Sequence, residues 1–205
     1  EHKAGSAVLM DITNGNILCM ASTPSYNPNK IIQKPNNEYW DAILENELSP
    51  LTYRCIQGLY APGSTFKMVV AIAGIVHGAI DINTNHFCSG KIGLGDRLYH
   101  CWKNNGHGSM NVSDAIKESC DVFFYEISKK IGIDKIARVA KDFGLGKIYD
   151  VPLPNQKKGI IPSRDWKKKK YDESWYPGET LISAIGQGFV LTNPLQLAVM
   201  TSIIA

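Results

Sequence analysis

The sequence lacks an apolar segment long enough to cross a bilayer. Its longest apolar run, Met68 to Val76, is about half the length of a spanning helix, and no signal-like segment opens the chain. Charge of one sign is also scarce. The 22 Lys and Arg stand against 19 Asp and Glu, a net +3 scattered along the chain. That excludes the basic footprint of a nucleic-acid binder and fits a neutral or modestly anionic partner. No internal repeat or low-complexity stretch is present. Cysteine is sparse and odd in number, at 19, 55, 88, 101 and 120. An exported protein cannot pair five internally, so some are free or serve something other than disulfides. What is there is a chain of 205 residues, 44% hydrophobic, enough for one sizeable core and expected to form one compact unit. Glu1, His2 and Lys3 lead abruptly into a strand pattern, and the apolar Thr201 to Ala205 ends it abruptly. Both ends read as cuts in a longer protein, so a membrane anchor can belong to the parent.

Residues Gly5 to Ser22 alternate apolar and polar around Asn14-Gly15, which predicts a β-hairpin with Ala7, Leu9, Ile17 and Cys19 on a common face. From Thr23 to Pro50 the turn formers Pro24, Asn27, Pro28, Pro35, Asn36 and Asn37 predict a meandering connection with one short helix near Tyr39 to Leu44. The first clear helix starts at Ser64 and is apolar on nearly every side through Val76, so it should be buried. Residues 87 to 109, rich in Gly, Asn and aromatics, read as an irregular excursion. Helical patterning resumes at Ser113, a candidate cap, and again over Val122 to Ile131 and Lys135 to Phe143. Residues 150 to 180 are polar and broken by four prolines, and a final helix should begin near Pro194.

Ser64 and Lys67 carry the first chemical signal. Three residues apart on a helix, hydroxyl and amine share a face and can hydrogen-bond. Serine is a poor nucleophile until a neighbouring base takes its proton, and burial in an apolar helix would favour the neutral amine that does so. At a helix start, backbone N–H groups also face the charge that develops during acyl transfer. The alternative is a capping Ser followed by an ordinary Lys.

The phrase Gly58-Leu59-Tyr60-Ala61-Pro62-Gly63-Ser64-Thr65-Phe66-Lys67 resembles the active-site segment of class B penicillin-binding proteins, with its Pro-Gly-Ser-x-x-Lys hallmark. Ser119-Cys120-Asp121 then stands where that family has Ser-x-Asn, and Asp in third place is similar to the penicillin-binding protein 2 subgroup, the elongation transpeptidases. Gly106-His107-Gly108, Glu118 to Tyr125, Pro162 to Lys167, Gly186-Gln187-Gly188 and Thr192 to Gln196 extend the resemblance in order along nearly the whole chain.

The resemblance implies an α+β penicillin-binding protein/serine β-lactamase-like fold, represented here by its helical part and the first sheet hairpin of a partial transpeptidase domain, 1–205. It implies that Ser64 is acylated by a stem peptide ending in D-Ala-D-Ala, or by a β-lactam. Ser119 would shuttle a proton between Lys67 and the leaving group, and Asp121 would bind Lys67 or the substrate amide. An interhelix cap is the plainer reading of Ser119 and Asp121. The family also needs Lys-Thr-Gly or Lys-Ser-Gly, which holds the substrate carboxylate and helps frame the oxyanion hole. No such triplet occurs in these residues; the nearest string, Ser89-Gly90-Lys91, has the wrong order and lies too early. The motif is expected beyond Ala205, and the fragment alone is expected to be inactive. The resemblance further implies a parent anchored by an N-terminal helix at the periplasmic face of the inner membrane, beside a membrane glycosyltransferase and elongation-complex proteins.

Cys88, Cys101, His107 and Cys120 make a complete tetrahedral set for structural zinc, although their spacing of 13, 6 and 13 residues is not that of a compact finger. The resemblance adds that some penicillin-binding protein 2 members hold zinc here. A metal on Cys120 would fix the loop that presents Ser119 and Asp121. A disulfide among these cysteines or three buried free thiols are the alternatives. His86, His100 and Asp96 are reserve ligands, and Cys19 and Cys55 read as packing residues. Lys167 to Lys170 read as a solvated charged face, and Trp175 to Thr180 as a loop that packs or lines the approach to the site. Glu173 and Glu179 lack the Asn that follows the hydrolytic carboxylate of class A β-lactamases. Two other readings remain, a penicillin-recognising sensor and a zinc-stabilised scaffold without catalysis.

Overall fold

Along the chain of this computed structural model run β1 (Gly5–Met10), β2 (Ile17–Thr23), α1 (Pro28–Ile32), α2 (Asn37–Leu44), α3 (Arg54–Gln57), a 3₁₀ turn (Gly63–Phe66), α4 (Lys67–Val76), β3 (His86–Cys88), β4 (Lys91–Leu94), β5 (Arg97–His100), β6 (Gly108–Met110), α5 (Val112–Lys117), α6 (Asp121–Ile131), α7 (Ile133–Asp142), α8 (Arg164–Tyr171), α9 (Pro177–Ala184) and α10 (Pro194–Ile204). The structure describes residues 3–32 and 37–205; the lead-in Glu1 and His2 and the turn formers Pro35 and Asn36 lie outside the described residues. The chain divides into two compact units, residues 1–60, 147–159 and 192–205, and residues 61–146 and 160–191.

In the first unit, β1 and β2 pair antiparallel around a turn in which Gly15 N and Asp11 O bond at 2.8 Å and Asp11 Oδ1 accepts from Thr13 N. The register shifts between Leu9 and Met10, so Met10 faces Ile17 and Leu9 faces Cys19. The extra residue reverses part of the expected pattern. Val8, Met10, Ile17 and Met20 pack on the core formed by Cys55, Ile56 and Leu195, whereas Leu9, Leu18 and Cys19 are exposed. Cys19 is therefore not a packing residue, while Cys55 is, its thiol donating to Ala7 O and Ala21 O. α10 begins at Pro194 behind an Asn193 cap, whose Oδ1 accepts from Gln196 N at 2.9 Å.

The second unit is helical with two small antiparallel ladders. Central α6 packs against α4, α7 and α9 through Phe123, Phe124 and Ile127, all buried, with Val69 and Val70 of α4, Ile136 of α7 and Leu181 of α9 completing the core. α4 is buried over most of its length, but Ile75 and Val76 at its end are exposed. The stretch expected to be irregular contains β3–β6 and β4–β5, with Cys88 opposite Gly108 and Lys91 opposite His100. α5 is capped by Asn111, whose Oδ1 accepts from Asp114 N at 2.9 Å, and not by Ser113. The stretch read as broken holds α8, capped by Ser163, and α9, whose first turn is closed by Glu179 accepting from Tyr176 N at 2.8 Å.

Lys167 departs from the solvated face expected of Lys167 to Lys170. It is 2% exposed, and its amine donates to Glu179 Oε1, stands 3.4 Å from Glu173 and lies over the Tyr176 ring at 4.3 Å. Burial opposes its charge, but Glu179 and Glu173 outweigh that and hold its pKa above the ordinary lysine value.

Candidate active site and metal centre

Ser64 lies in the 3₁₀ turn and Lys67 opens α4, so the helix proper starts three residues later than the sequence predicts. The tight turn follows from Gly63, at φ 58, whose N–H donates to Gly186 O at 2.9 Å. Ser119, Cys120 and Asp121 arrive from the other side, in the corner between α5 and α6. Ser119 adopts φ 53, a left-handed conformation that costs a non-glycine residue on the order of 1–3 kcal/mol and persists where its surroundings enforce it. Here they do. Ser119 N donates to Ile116 O, Cys120 N to Ala115 O, and Ser119 O accepts from the Lys67 amine at 2.8 Å.

These residues form one hydrogen-bonded chain. Lys67 Nζ donates to Ser119 Oγ at 3.0 Å and to Asp121 Oδ1 at 2.6 Å, and Ser119 Oγ donates to Ser64 Oγ at 2.9 Å. The link from amine to nucleophile thus runs through Ser119, where the sequence predicts a direct bond from Ser64 to Lys67. The amine is buried but not in the apolar surroundings expected of it. Three oxygens meet Nζ, and the Phe124 ring lies 5.6 Å from it. Asp121 divides its carboxylate between Lys67 and the backbone N–H of Trp102, which reaches Oδ2 at 3.0 Å. Trp102 escaped the sequence reading, because a bond from a backbone N–H leaves no trace in residue type; its one signal is its place directly after Cys101.

Cys88, Cys101, His107 and Cys120 come together, their four ligand atoms within 4.8 Å of one another. Cys88 closes β3, Cys101 follows β5, His107 precedes β6 and Cys120 precedes α6. The close approach of the first and third loops requires Gly106. Its φ is +76, and a Cβ there would stand 2.1 Å from Cys88 O. All five cysteines are free, so the disulfide alternative is not the state seen. Cys88 Sγ and Cys101 Sγ stand 3.6 and 3.5 Å from His107 Nδ1. A tetrahedral zinc site with ordinary Zn–S and Zn–N bonds has edges of about 3.4–3.8 Å, so the donor set and these two sulfur–nitrogen edges fit, while the set as a whole, spread over as much as 4.8 Å, would tighten around an ion. Without a metal, burial, together with Cys88 and Cys101 alongside, pushes the Cys120 thiol up to about 12. The reserve ligands stand apart from the cluster: His86 packs edge-on against Phe123 and faces Lys130, and His100 and Asp96 are not in it.

The fold and the paired serines with their buried lysine define a class. The chain belongs to the penicillin-binding protein transpeptidase domain family, which matches residues 5–205. Within it, the similarity is to penicillin-binding protein 2 (PBP2). The peptidoglycan D,D-transpeptidase MrdA of Escherichia coli K12 is 35% identical over 195 residues, 94% of this chain and 31% of that protein. PBP2 of Pseudomonas aeruginosa, solved in complex with WCK 5153, superposes with a TM-score of 0.94 at 35% identity, covering 99% of this chain and 46% of that one. PBP2 of Helicobacter pylori, solved with MreC, gives 0.95 at 36% identity, covering 100% of this chain and 38% of that one. The chain therefore spans about a third of the length of the curated relatives it matches.

Proposed function

We propose that the protein carrying this chain is a peptidoglycan D,D-transpeptidase of cell elongation that works through an acyl-enzyme on Ser64. The observation that carries the reading is the unbroken relay from Ser64 Oγ through Ser119 Oγ to Lys67 Nζ. Ser64 attacks the penultimate D-Ala carbonyl of a stem peptide; with Lys67 as the free amine the donors along this path reverse, so the Ser64 proton passes to Ser119 Oγ as the Ser119 proton passes to Lys67 Nζ. The proton returns along the same path to the amine of the departing D-Ala. An amine on a neighbouring stem then resolves the ester and forms the cross-link. Asp121 anchors Lys67 in line, and β-lactams acylate the same serine. The H. pylori relative solved with MreC supports an elongation-complex partner, with a membrane glycosyltransferase beside it at the periplasmic face of the inner membrane. No helix among the described residues is long and apolar enough to cross a membrane.

Fluorescent penicillin tests the reaction on the full-length protein. Acylation should be stoichiometric, vanish in Ser64→Ala and fall below detection in Lys67→Ala, whose serine has no proton acceptor. An undiminished rate in Lys67→Ala would refute the role of the base.

We also infer that Cys88, Cys101, His107 and Cys120 hold a structural zinc ion. Four protein donors leave no open position, so the metal would tie the loops that carry Cys101 and His107 to the one that carries Ser119, Cys120 and Asp121, without joining the reaction. Protein purified without added metal should contain about one zinc per chain by elemental analysis. A disulfide between any two of these cysteines in the purified protein would exclude it.

A further inference from the structure

Trp102 holds both ends of the tripeptide that carries the relay. Its backbone N–H donates to Asp121 Oδ2 at 3.0 Å, and its indole Nε1–H donates to the Glu118 carbonyl at 3.1 Å. Glu118 immediately precedes Ser119-Cys120-Asp121, and Asp121 is its last residue. One residue thus spans the corner in which Ser119 is kept at φ 53. Trp102 is 61% exposed, so burial of apolar surface does not account for its position. Two directed N–H bonds do, with an edge-on contact between its ring and that of His107 at 5.2 Å.

The two bonds have different consequences. The backbone bond occupies the carboxylate oxygen that faces away from Lys67, which leaves Oδ1 aimed at the amine, 2.6 Å away. The indole bond fixes the carbonyl one residue before Ser119, and with it the direction in which Ser119 presents Oγ to Ser64. A carboxylate gripped on one side only could swing about its χ angles, and a left-handed serine released at its N-terminal side could relax.

We propose that Trp102 is a positioning residue for acyl transfer, holding Ser119 and Asp121 so that the relay from Ser64 to Lys67 stays in line. It acts through these two residues and not on the substrate. The inference rests on the transpeptidase reading above.

The test uses the full-length protein and fluorescent penicillin, with the acylation time courses resolved into the saturating rate, k2, and the apparent dissociation constant, K. Trp102→Phe removes the indole N–H but keeps the backbone N–H and a ring beside His107. It should lower k2 about three- to tenfold, the rate equivalent of one neutral hydrogen bond, and leave K unchanged. Trp102→Ala should lower k2 at least as far. Because k2 is read per acylatable molecule, a smaller folded fraction does not mimic the effect. In an Asp121→Asn background the same Trp102→Phe change should cost less than it does alone, since the groups act as a unit. An undiminished k2 in Trp102→Phe, or a loss confined to K that would make Trp102 a ligand contact, overturns the inference. An unsubstituted parent that is not acylated on Ser64 overturns the transpeptidase reading itself.

Discussion

Two glycines bring the nucleophile's turn against the loop after α9. Gly63 N donates to Gly186 O, Gly186 has φ +69, and a Cβ added to Gly186 would stand 2.2 Å from Gly63 O. Backbone cannot yield as a flexible side chain can, so Gly186→Ala must push away either the 3₁₀ turn or the loop. We expect a loss of about 1–3 kcal/mol of stability, because alanine pays the left-handed conformation and the clash together. Acylation should fall further than stability does, since Ser64 is the residue next to Gly63 and a small misplacement of a reacting atom is costly. Thermal melting and acylation kinetics of Gly186→Ala in the full-length protein would measure the two effects. Unaltered kinetics would show that the turn holds Ser64 without Gly186. Ser119 is the complementary case, a side chain that the proposed relay needs in a conformation glycine would adopt more easily.

Elements near the site are held by charge as well as by core packing. The amine of Lys167 on α8 is bound by Glu179 on α9, and the same carboxylate closes the first turn of α9 at Tyr176 N. α9 leads directly to Gly186. Lys167→Met should therefore lower the melting temperature by several degrees, with Glu179→Gln close behind. The pH dependence has a definite sign. The folded-state pKa of Lys167 lies above its ordinary value of 10.5, so its stabilisation is complete below that value and is lost as pH rises through the folded pKa. The gap in melting temperature between the unsubstituted protein and Lys167→Met should stay constant from neutrality to that point and close above it; a gap that closes at lower pH would place the titration elsewhere. This pair also shows what sequence could not convey. Four consecutive lysines look alike on the page, and only the position of α9 selects Lys167 for burial. The period-two pattern of the first hairpin was legible, but the extra residue in the pairing, Leu18 opposite the Leu9–Met10 step, was not, so Ile17 faces the core and Leu9 does not. β3 to β6 were missed because three- and four-residue strands among glycines carry too little alternation to be seen. That Ser64, Lys67, Ser119 and Asp121 meet, and that Cys88, Cys101 and Cys120 meet His107, was legible because their residue types and spacing stand out in the sequence. Trp102 was not, because one of its bonds comes from a backbone N–H and the other goes to a backbone carbonyl, partners that residue type does not reveal.

At the scale of the whole molecule, the 205 residues bring the relay together but contain no Lys-Thr-Gly or Lys-Ser-Gly triplet. Acyl transfer has two further requirements besides an activated serine. The carboxylate of the ligand must be held so that its carbonyl stays over Ser64, and the oxyanion formed by attack must meet fixed N–H donors. In the family to which this chain belongs, the missing triplet serves the first and completes the second. Losing a single oxyanion donor raises a barrier by about 3 kcal/mol, a factor of roughly a hundred to a thousand in rate, and the loss of the carboxylate anchor adds to it. The relay itself would be unimpaired, since Ser64, Ser119, Lys67, Asp121 and the Trp102 that bonds Asp121 all lie in one compact unit. These 205 residues alone should therefore fold around an intact but nearly inert Ser64, while the full-length protein is acylated. Intact-protein mass spectrometry after hours with excess penicillin measures the difference. A stoichiometric adduct on Ser64 of the 205-residue chain would mean that its own groups hold the carboxylate and stabilise the oxyanion.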